Sequence, residues 1–490
     1  MSPRATRLLV AIALSAPLAW VARAHADGIV PPWGDPHDVP LPSWGRSVAP
    51  LRVDVPIAAA PGTPDAKRGT IEAGARLPLY GTARGGSCGG RWLLVGPMAW
   101  VCSDAAEVSR DAPAAPPPSS EAGGAPAEGL PYRYFFVGAD GAEAFLNLPK
   151  PSDDPRAVEA PDEALDPGFS VAIVEETTAR GALWGRTRQG KWIPMRELTP
   201  YRVSGFHGDA SKSAIENGKS DGKGSVLDAA WVVSDVANVF SAPAATGKPT
   251  GRRARFDRLT WHEERAAAHG GGAMVRISDD GVAPEQWVRA RDIAHATLSA
   301  PPDEIGGAHA TERWIDIDVG AQTLVAYEGT RPVFATLVST GRAPVGDVAA
   351  TPAGVHRIGA KLTMHDMDAL EPDLDDPSAA DADTLDDVPY VQYFDQGVAL
   401  VGAFWHRDLG RPHGRTSVSL APRDAAWLFA FTAPHLPTGW SSAYPTELDP
   451  GSVVRVRAGE AVPRDFPLDK PDGTATHKSS SSFSSPAETP

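Results

Sequence analysis

Cysteine is nearly absent from this sequence: the 490 residues contain only two, Cys88 and Cys102, in one short segment. They lack the C-x-x-C spacing of a redox pair, and no second pair of ligands lies nearby to complete a metal site. In an oxidising compartment we therefore predict a disulfide between them, which in the chain-entropy model stabilises the fold by about 3 kcal/mol. No cysteine then remains for catalysis.

Long apolar runs are also lacking, apart from Leu8–Trp20 near the N-terminus. This run of about 13 residues is short for a transmembrane helix, which needs about 20. It follows Arg4 and Arg7 and precedes a small-x-small site at residues 24–26, a pattern typical of secretory signal peptides. We predict a signal peptide at residues 1–26, export to the periplasm or cell envelope, and no stable membrane anchor after cleavage. An uncleaved anchor is the alternative.

The chain has no excess of basic residues: 46 Lys and Arg stand against 61 Asp and Glu, giving a net charge of −15. This balance argues against nucleic acid or an anionic membrane as the main partner, and it leaves a cationic or zwitterionic cell-wall ligand allowed. The 48 Gly and 48 Pro favour short strands and turns over long helices. We therefore predict a mainly β architecture, divided by the chain length into two to four domains.

Stretches rich in Pro, Gly and Ser divide the chain at roughly 27–48, 109–130 and 207–226, and none has the apolar periodicity of a packed element. We interpret them as linkers or mobile loops. The Ser-rich end of the chain, 477–490, is expected to be a disordered tail. The acidic stretch 364–388 lacks the ligand spacing of a calcium loop, which favours a solvated loop over a site for a cation or a basic peptide amine.

Three segments between these breaks share short alternating strands, a Gly-containing turn and a closing Trp-apolar pair. The pairs are Trp100-Val101, Trp192-Ile193 and Trp287-Val288. The pattern resembles the last hairpin of bacterial SH3-like barrels, which implies SH3-like modules at 49–108, 131–205 and 227–298. Two roles for the tryptophans remain open: gripping cell-wall peptide or glycan, or filling the core of a small barrel.

The segment 313–458 has a different pattern. Ile315, Ile317 and Val319 alternate with Trp314, Asp316 and Asp318, and a turn at Glu328-Gly329 leads into Val333, Ala335 and Leu337. This alternation predicts an antiparallel meander. The stretch "APRDAAWLFAFT", with Pro422 near its start, predicts a short helix.

Four stretches of this segment, in order, closely resemble the L,D-transpeptidase catalytic domain, which belongs to exported bacterial cell-wall enzymes. They are "IDIDVGAQTLVAYEGTRPVFATLVSTGR", "TPAGVHRIGAKL", "DVPYVQYFDQGVALVGAFWH" and "GRP…SVSLAPRDAAWLF". The resemblance implies a β-sandwich-like fold with short helices, peptidoglycan stem peptides as partners, and neither a cofactor nor a metal.

Members of that family carry a Cys nucleophile, a neighbouring His as base and a second His on the preceding strand. The flanking runs Gly410-Arg411-Pro412 and Leu420-Ala421-Pro422 align without a gap. The resemblance then assigns the positions of the nucleophile, base and second His to Ser417, Arg415 and Val401. It assigns to the substrate groove Gly402, His406, His413, Thr416 (where the family has Gly) and Ser419 (where it has Asn).

These departures reinforce one another. A Ser hydroxyl is a weak nucleophile without a base, and a guanidinium has no lone pair with which to take a proton. A Thr in place of Gly puts a β-branched side chain where the backbone bends close to substrate. A rescue by His406 or His413, oriented by Asp408, is the alternative, although such a triad can be written for many sequences.

We therefore favour the hypothesis of a catalytically inactive domain that binds peptidoglycan or regulates wall remodelling, with other wall enzymes among its partners. The alternative is an active enzyme in which Ser417 forms an acyl-enzyme with a stem peptide. A purely structural envelope protein is the third hypothesis.

Overall fold

The computed structural model describes eleven stretches of the chain. They are residues 41–116, 126–127, 129–149, 160–210, 219–220, 225–244, 247–266, 272–306, 310–343, 350–367 and 385–459. The predicted signal peptide, the predicted disordered tail and most of the acidic stretch lie outside them. The described residues form many short strands and one α-helix, so the predicted mainly β fold is confirmed. No helix in these stretches has the length and apolarity to cross a membrane.

The chain divides into two compact units, Met1–Ala115 and Pro116–Pro490. The strands of the first unit are β1 Ser47–Pro50, β2 Val55–Ala58, β3 Lys67–Ile71, β4 Leu77–Pro78, β5 Gly81–Ala83, β6 Trp92–Gly96, β7 Ala99–Cys102 and β8 Ala106–Ser109. They pair in the orders β4-β1-β8 and β3-β2-β7-β6-β5. The predicted Cys88–Cys102 disulfide is confirmed, and its sulfurs pack beside the buried rings of Trp92 and Trp100.

The second unit begins with a five-stranded sheet in the order β14-β13-β12-β9-β15, beside a hairpin of β10 and β11. The strands are β9 Arg133–Val137, β10 Ala142–Ala144, β11 Glu163–Leu165, β12 Ser170–Ala179, β13 Ala182–Thr187, β14 Trp192–Pro194 and β15 Leu198–Pro200, with a 3-10 turn at Met195–Glu197. Apolar side chains at alternate positions, such as Phe135, Val171 and Ile193, form its core. We call residues 129–205 the first module.

The next group of strands, which we call the second module (residues 225–298), has small sheets around its own core. The strands, with the preceding short β16, are β16 Lys219–Ser220, β17 Ser225–Val232, β18 Val236–Val239, β19 Gly251–Ala254, β20 Arg258–Leu259, β21 Glu263–Ala266, β22 Ala273–Arg276, β23 Trp287–Arg289 and β24 Ile293–Thr297. A 3-10 turn spans Ala290–Asp292. Strand β17 pairs with β16, β20 and β24, and Val232, Val275 and Val288 lie in the core.

The C-terminal domain contains two five-stranded sheets and the helix. The elements are β25 Arg313–Asp318, β26 Thr323–Glu328, β27 Arg331–Leu337, β28 Gly354–Arg357, β29 Ala360–Met367, β30 Leu385–Asp395, β31 Val398–Gly402, β32 Val418–Leu420, α1 Pro422–Phe431, β33 Trp440–Ala443 and β34 Val453–Arg457. The orders are β27-β26-β25-β34-β28 for the first sheet and β32-β31-β30-β29-β33 for the second. The predicted meander is β25–β27, and the predicted helix is α1.

The core of the C-terminal domain lies between its two sheets. Ile315, Leu324 and Val456 of the first sheet meet Leu400 and Val418 of the second, and α1 closes one side. The outer face of the first sheet is also buried, because Trp314 and Tyr327 stack there and pack with Trp231 of the second module. On this face Asp316 is paired with Arg455 and Arg457.

Candidate functional site

The segment that resembles a nucleophile motif lies at the edge of the second sheet. Strand β32 runs parallel to β31, with Val418 opposite Leu400 and Ser419 opposite Val401. Successive side chains on a strand alternate between faces, and Val418 and Leu400 lie in the core between the sheets. Ser417, Ser419 and Val401 therefore belong to the opposite face.

Ser417 is half-buried, and its hydroxyl oxygen accepts a hydrogen bond of 3.3 Å from the backbone N–H of Ala399. Within the described stretches it makes no hydrogen bond to an imidazole. Arg415, at the predicted base position, is exposed, and Thr416 is half-buried. Arg415 therefore does not fill a groove, and the structure does not join Ser417 to His406 or His413 in a hydrogen-bonded triad.

The loop before Ser417 is fixed by backbone contacts with the segment after β27. His413 N–H donates to Thr340 O at 2.8 Å, and Thr351 Oγ1 donates to Thr416 O at 2.7 Å. The approach at Gly341 is so close that a Cβ there would lie 1.6 Å from Arg415 O. Only glycine, which has no Cβ, fits at this position, and its presence allows the loop to pass this close.

Val401, the predicted position of the family's second His, is 1% exposed and lies in an apolar cluster. We call this the first junction, because the cluster joins Val401, Ala399 and Phe404 to the first module. The Phe404 ring stacks on Tyr134 with centroids 4.1 Å apart and meets Tyr201 edge-on at 5.0 Å. Burial raises the pKa of Tyr134 well above its usual value, and its hydroxyl donates to Asp387 O at 2.8 Å.

Residues 404–413 contact the second module through what we call the second junction. Arg411 is almost fully buried; it donates to Val233 O at 2.8 Å and pairs with Asp235 at 3.0 Å. From the second module, Arg255 donates to Arg407 O at 2.9 Å. Neither junction was identified from sequence, because each joins residues more than 150 positions apart and no local pattern reveals such contacts.

His406, Asp408 and His413 form a buried cluster beside the second junction. Asp408 Oδ2 lies 3.0 Å from His413 Nδ1, and its Oδ1 lies 3.6 Å from Arg255 Nη2. The His406 and His413 rings stack with centroids 3.9 Å apart and planes at 17°. Burial, followed by the charge of His413, lowers the pKa of His406 well below its usual value. The sequence placed both histidines in the groove region, and the structure brings them together without Ser417.

The ligand atoms of these three residues lie within 4.8 Å of one another, so a metal ion must be considered. A metal lies in the plane of each imidazole that binds it, and near-parallel stacked rings do not direct their lone pairs to one point. His406 Nδ1 accepts the N–H of Asp408 at 3.2 Å, so Nε2 holds the proton in the neutral ring. The Arg255 guanidinium lies beside the Asp408 carboxylate, and its positive charge disfavours a cation there. The cluster therefore does not fit a metal ion.

Asp424 of α1 is a further buried titratable group in this domain. Both carboxylate oxygens accept the N–H of Gly208 at 3.0 Å, and Thr336 Oγ1 donates to Oδ2. Burial raises the pKa of Asp424 to about 6, although these hydrogen bonds oppose the shift. The charged form is therefore disfavoured in the folded state.

We expect Asp424 to make the folded protein less stable as pH rises from about 4 to 6. The native state holds this proton more tightly than the unfolded state. The contribution of Asp424 to the free energy of unfolding is therefore full at low pH and is lost as pH rises through the native pKa. The loss amounts to about 2–3 kcal/mol. Asp424→Asn, which imitates the protonated acid, should remove it. Guanidinium unfolding of both proteins at pH 4.5 and 7.5 checks this; a difference between them that is constant with pH would contradict it.

Known proteins similar to the C-terminal domain are found by comparison of sequence and of structure. Residues 312–456 match the family model YkuD, the L,D-transpeptidase catalytic domain. A solved L,D-transpeptidase (Yku) from Stackebrandtia nassauensis is 22% identical, with 30% of this chain and 56% of that chain covered and a TM-score of 0.21. One from Xylanimonas cellulosilytica is 19% identical, with 30% and 61% covered and a TM-score of 0.21. The catalytic domain of the E. faecium enzyme is 17% identical, with 30% and 99% covered and a TM-score of 0.21.

No curated protein matches the chain. The chain spans 56% and 61% of the first two solved relatives, and the low identities and TM-scores carry no conclusion about activity. The family model covers the sandwich, its helix and the Ser417 segment. By this match, residues 312–456 are an L,D-transpeptidase-like domain.

Proposed function

We propose that this chain is an exported cell-envelope protein whose L,D-transpeptidase-like domain is catalytically inactive and takes part in peptidoglycan remodelling as a regulator of other wall enzymes. The observation that supports it most is the first junction. Val401 lies at the predicted position of a catalytic imidazole, and it belongs to a buried apolar cluster that also contains rings of the chain's own first module.

The environment of Ser417 supports the same proposal. Acyl transfer needs a base within hydrogen-bonding reach of the nucleophile, and the hydroxyl of Ser417 has only the Ala399 N–H as a partner within the described residues. A backbone N–H donates a proton and cannot accept one. Because the first junction covers Val401, it disfavours a stem peptide in the ancestral groove, so we favour regulation over direct binding there.

Export is supported by the signal-like N-terminal sequence and by the Cys88–Cys102 disulfide, which forms in oxidising compartments. In this proposal the N-terminal segments are SH3-like modules, and peptidoglycan, rather than nucleic acid or a membrane, is the material around which the protein works. Two of these modules contact the L,D-transpeptidase-like domain through the two junctions.

We expect the mature protein to give no product with disaccharide-tetrapeptide muropeptides. Mass spectrometry should find no cross-linked or trimmed peptide and no acyl adduct, with the wild type and Ser417→Ala indistinguishable. An active L,D-transpeptidase in the same assay is the positive control. A product or adduct that is lost in Ser417→Ala would overturn the proposal and make Ser417 a nucleophile.

A further variant and a binding assay extend this experiment. Ser417→Cys supplies the better nucleophile but no base, so it should remain inactive; turnover by this variant would mean that only the thiol was missing. Sedimentation with purified sacculi then separates a protein that binds the wall directly from one that acts through another enzyme.

A further inference from the structure

Beside the second junction lie two stacked imidazoles that the proposed function does not use. His406 is 4% exposed, and its Nε2 has no hydrogen-bond partner within the described stretches. Its Nδ1 accepts the N–H of Asp408 at 3.2 Å. The neutral ring therefore carries its proton on Nε2, and a second proton can be added only at Nδ1.

A proton on His406 Nδ1 would point at the N–H of Asp408, because that N–H already occupies the lone pair. The charged ring would also stack on His413 at a centroid distance of 3.9 Å. Two imidazolium rings at this distance repel each other, so the pair does not hold two protons in this arrangement. Charging His406 thus requires the turn at 406–408 to open.

The charges around the pair do not remove this conflict. The Asp408 carboxylate favours a positive charge on His406. Two guanidiniums offset this effect, because Asp408 Oδ1 lies 3.6 Å from Arg255 Nη2 and 4.0 Å from Arg411 Nη1. Asp235 faces Arg411 from the second module, and it is two-thirds exposed. Arg342, in the segment after β27, adds further positive charge. Three guanidiniums against two carboxylates leave no net negative charge to stabilise an imidazolium.

The same turn holds the second module. Arg407 O, next to His406, accepts from Arg255, and Arg411, further along the chain, donates to Val233 O, so residues 407–411 make polar contacts across the junction. Gly410 lies against Val233 so closely that a Cβ would come within 2.3 Å of its side chain. A change in the path of residues 406–411 therefore cannot leave these contacts intact.

We propose that the second junction is an acid-sensitive latch, in which protonation of the stacked His406–His413 pair releases the second module from the L,D-transpeptidase-like domain. The latch is closed while the buried His406 ring is neutral, and it opens as the medium becomes acidic. It needs neither a ligand nor catalysis at Ser417, so it stands apart from the proposed function.

Hydrogen exchange with mass spectrometry on the full mature chain tests the latch. Exchange rates are corrected for the pH dependence of unstructured amides and are compared at pH 7.5 and 5. Amides of β18 (Val236–Val239) and of residues 404–411 should lose protection at pH 5 by up to about 30-fold. This is the factor by which acid favours the open form when an imidazole with a pKa of about 6.5 can take a proton there and stays neutral in the closed form. Amides of β12 (Ser170–Ala179), in the first module, are the internal reference and should not change.

Matched variants assign the effect. His406→Asn keeps an acceptor near the Nδ1 position and cannot be protonated, so the acid response should disappear. His435→Asn removes an imidazole that is 62% exposed and lies beside Asp449, and it should respond as the wild type does. His413→Asn removes the repulsion between the two rings, so the loss of protection at pH 5 should be at least threefold smaller than in the wild type.

Two results would overturn the latch. One is unchanged protection of β18 and residues 404–411 in the wild type at pH 5, a measurement that needs no variant to fold. The other is an acid response that persists in a folded His406→Asn protein, which would place the sensitive group elsewhere.

Discussion

Phe404→Ala is expected to lower the free energy of unfolding by about 3–5 kcal/mol. Phe404 is fully buried at the first junction, stacked on Tyr134 and edge-on to Tyr201. Truncation to Ala removes the ring from both contacts and leaves a cavity between the first module and the second sheet. Guanidinium unfolding, followed by tryptophan fluorescence and by far-UV circular dichroism, measures the loss.

Phe404→Leu is the matched control. It keeps an apolar side chain of comparable volume and should cost less than about 1.5 kcal/mol. Hydrogen exchange adds a local measurement: β9 (Arg133–Val137) should lose protection in Phe404→Ala and keep it in Phe404→Leu. If Phe404→Ala unfolds at nearly the same guanidinium concentration as the wild type, the ring does not hold the first module over Val401, and the main support for an inactive domain is lost.

Arg411→Met should cost about 3–5 kcal/mol, because it removes one charge from a buried polar network. The Asp408 carboxylate is fully buried and would lose one neighbouring cation, while Val233 O would lose its donor Arg411. The methionine retains much of the apolar bulk, so the loss reports on the polar contacts. The guanidinium unfolding midpoint at pH 7.5 is the measurement.

Arg331→Met provides the comparison for a surface charge. Arg331 pairs with Glu328, and its side chain is 61% exposed, so its removal should cost less than about 1 kcal/mol. Equal costs for the two substitutions would mean that the second junction contributes no more than a surface ion pair. A large cost for Arg411→Met alone would establish the contact on which the acid-sensitive latch depends.

Local patterns were enough to predict much of the C-terminal domain. The alternation of Ile315 and Ile317 with Trp314 and Asp316 predicts β25, because side chains on a strand repeat every two residues. Pro422 followed by helically spaced apolar residues predicts α1. Cys88 and Cys102 are the two cysteines of the sequence and lie in one short segment, which predicts their disulfide in an oxidising compartment. Each depends on residues close together in the chain, and each is confirmed.

The chemistry of the motif positions could also be derived from sequence, since it follows from residue type alone. Ser417 lies at the predicted position of the thiol, and Arg415, at the predicted position of the base, has no lone pair with which to act as one. What surrounds those positions could not be derived. The stacking of Phe404 on Tyr134 and the hydrogen bond from Arg411 to Val233 O are contacts between distant segments, and a single sequence holds no pattern that pairs them.

The sequence by itself determined the mainly β class and the resemblance to an L,D-transpeptidase domain, and it predicts that Ser and Arg stand where that family has Cys and His, because periodicity and side-chain chemistry are local properties. Only the tertiary structure decided that two modules of the same chain pack against that domain, and that His406 and His413 stack beside a buried Asp408. Packing joins segments that the chain separates by more than 150 residues, and it determines which polar groups are buried together.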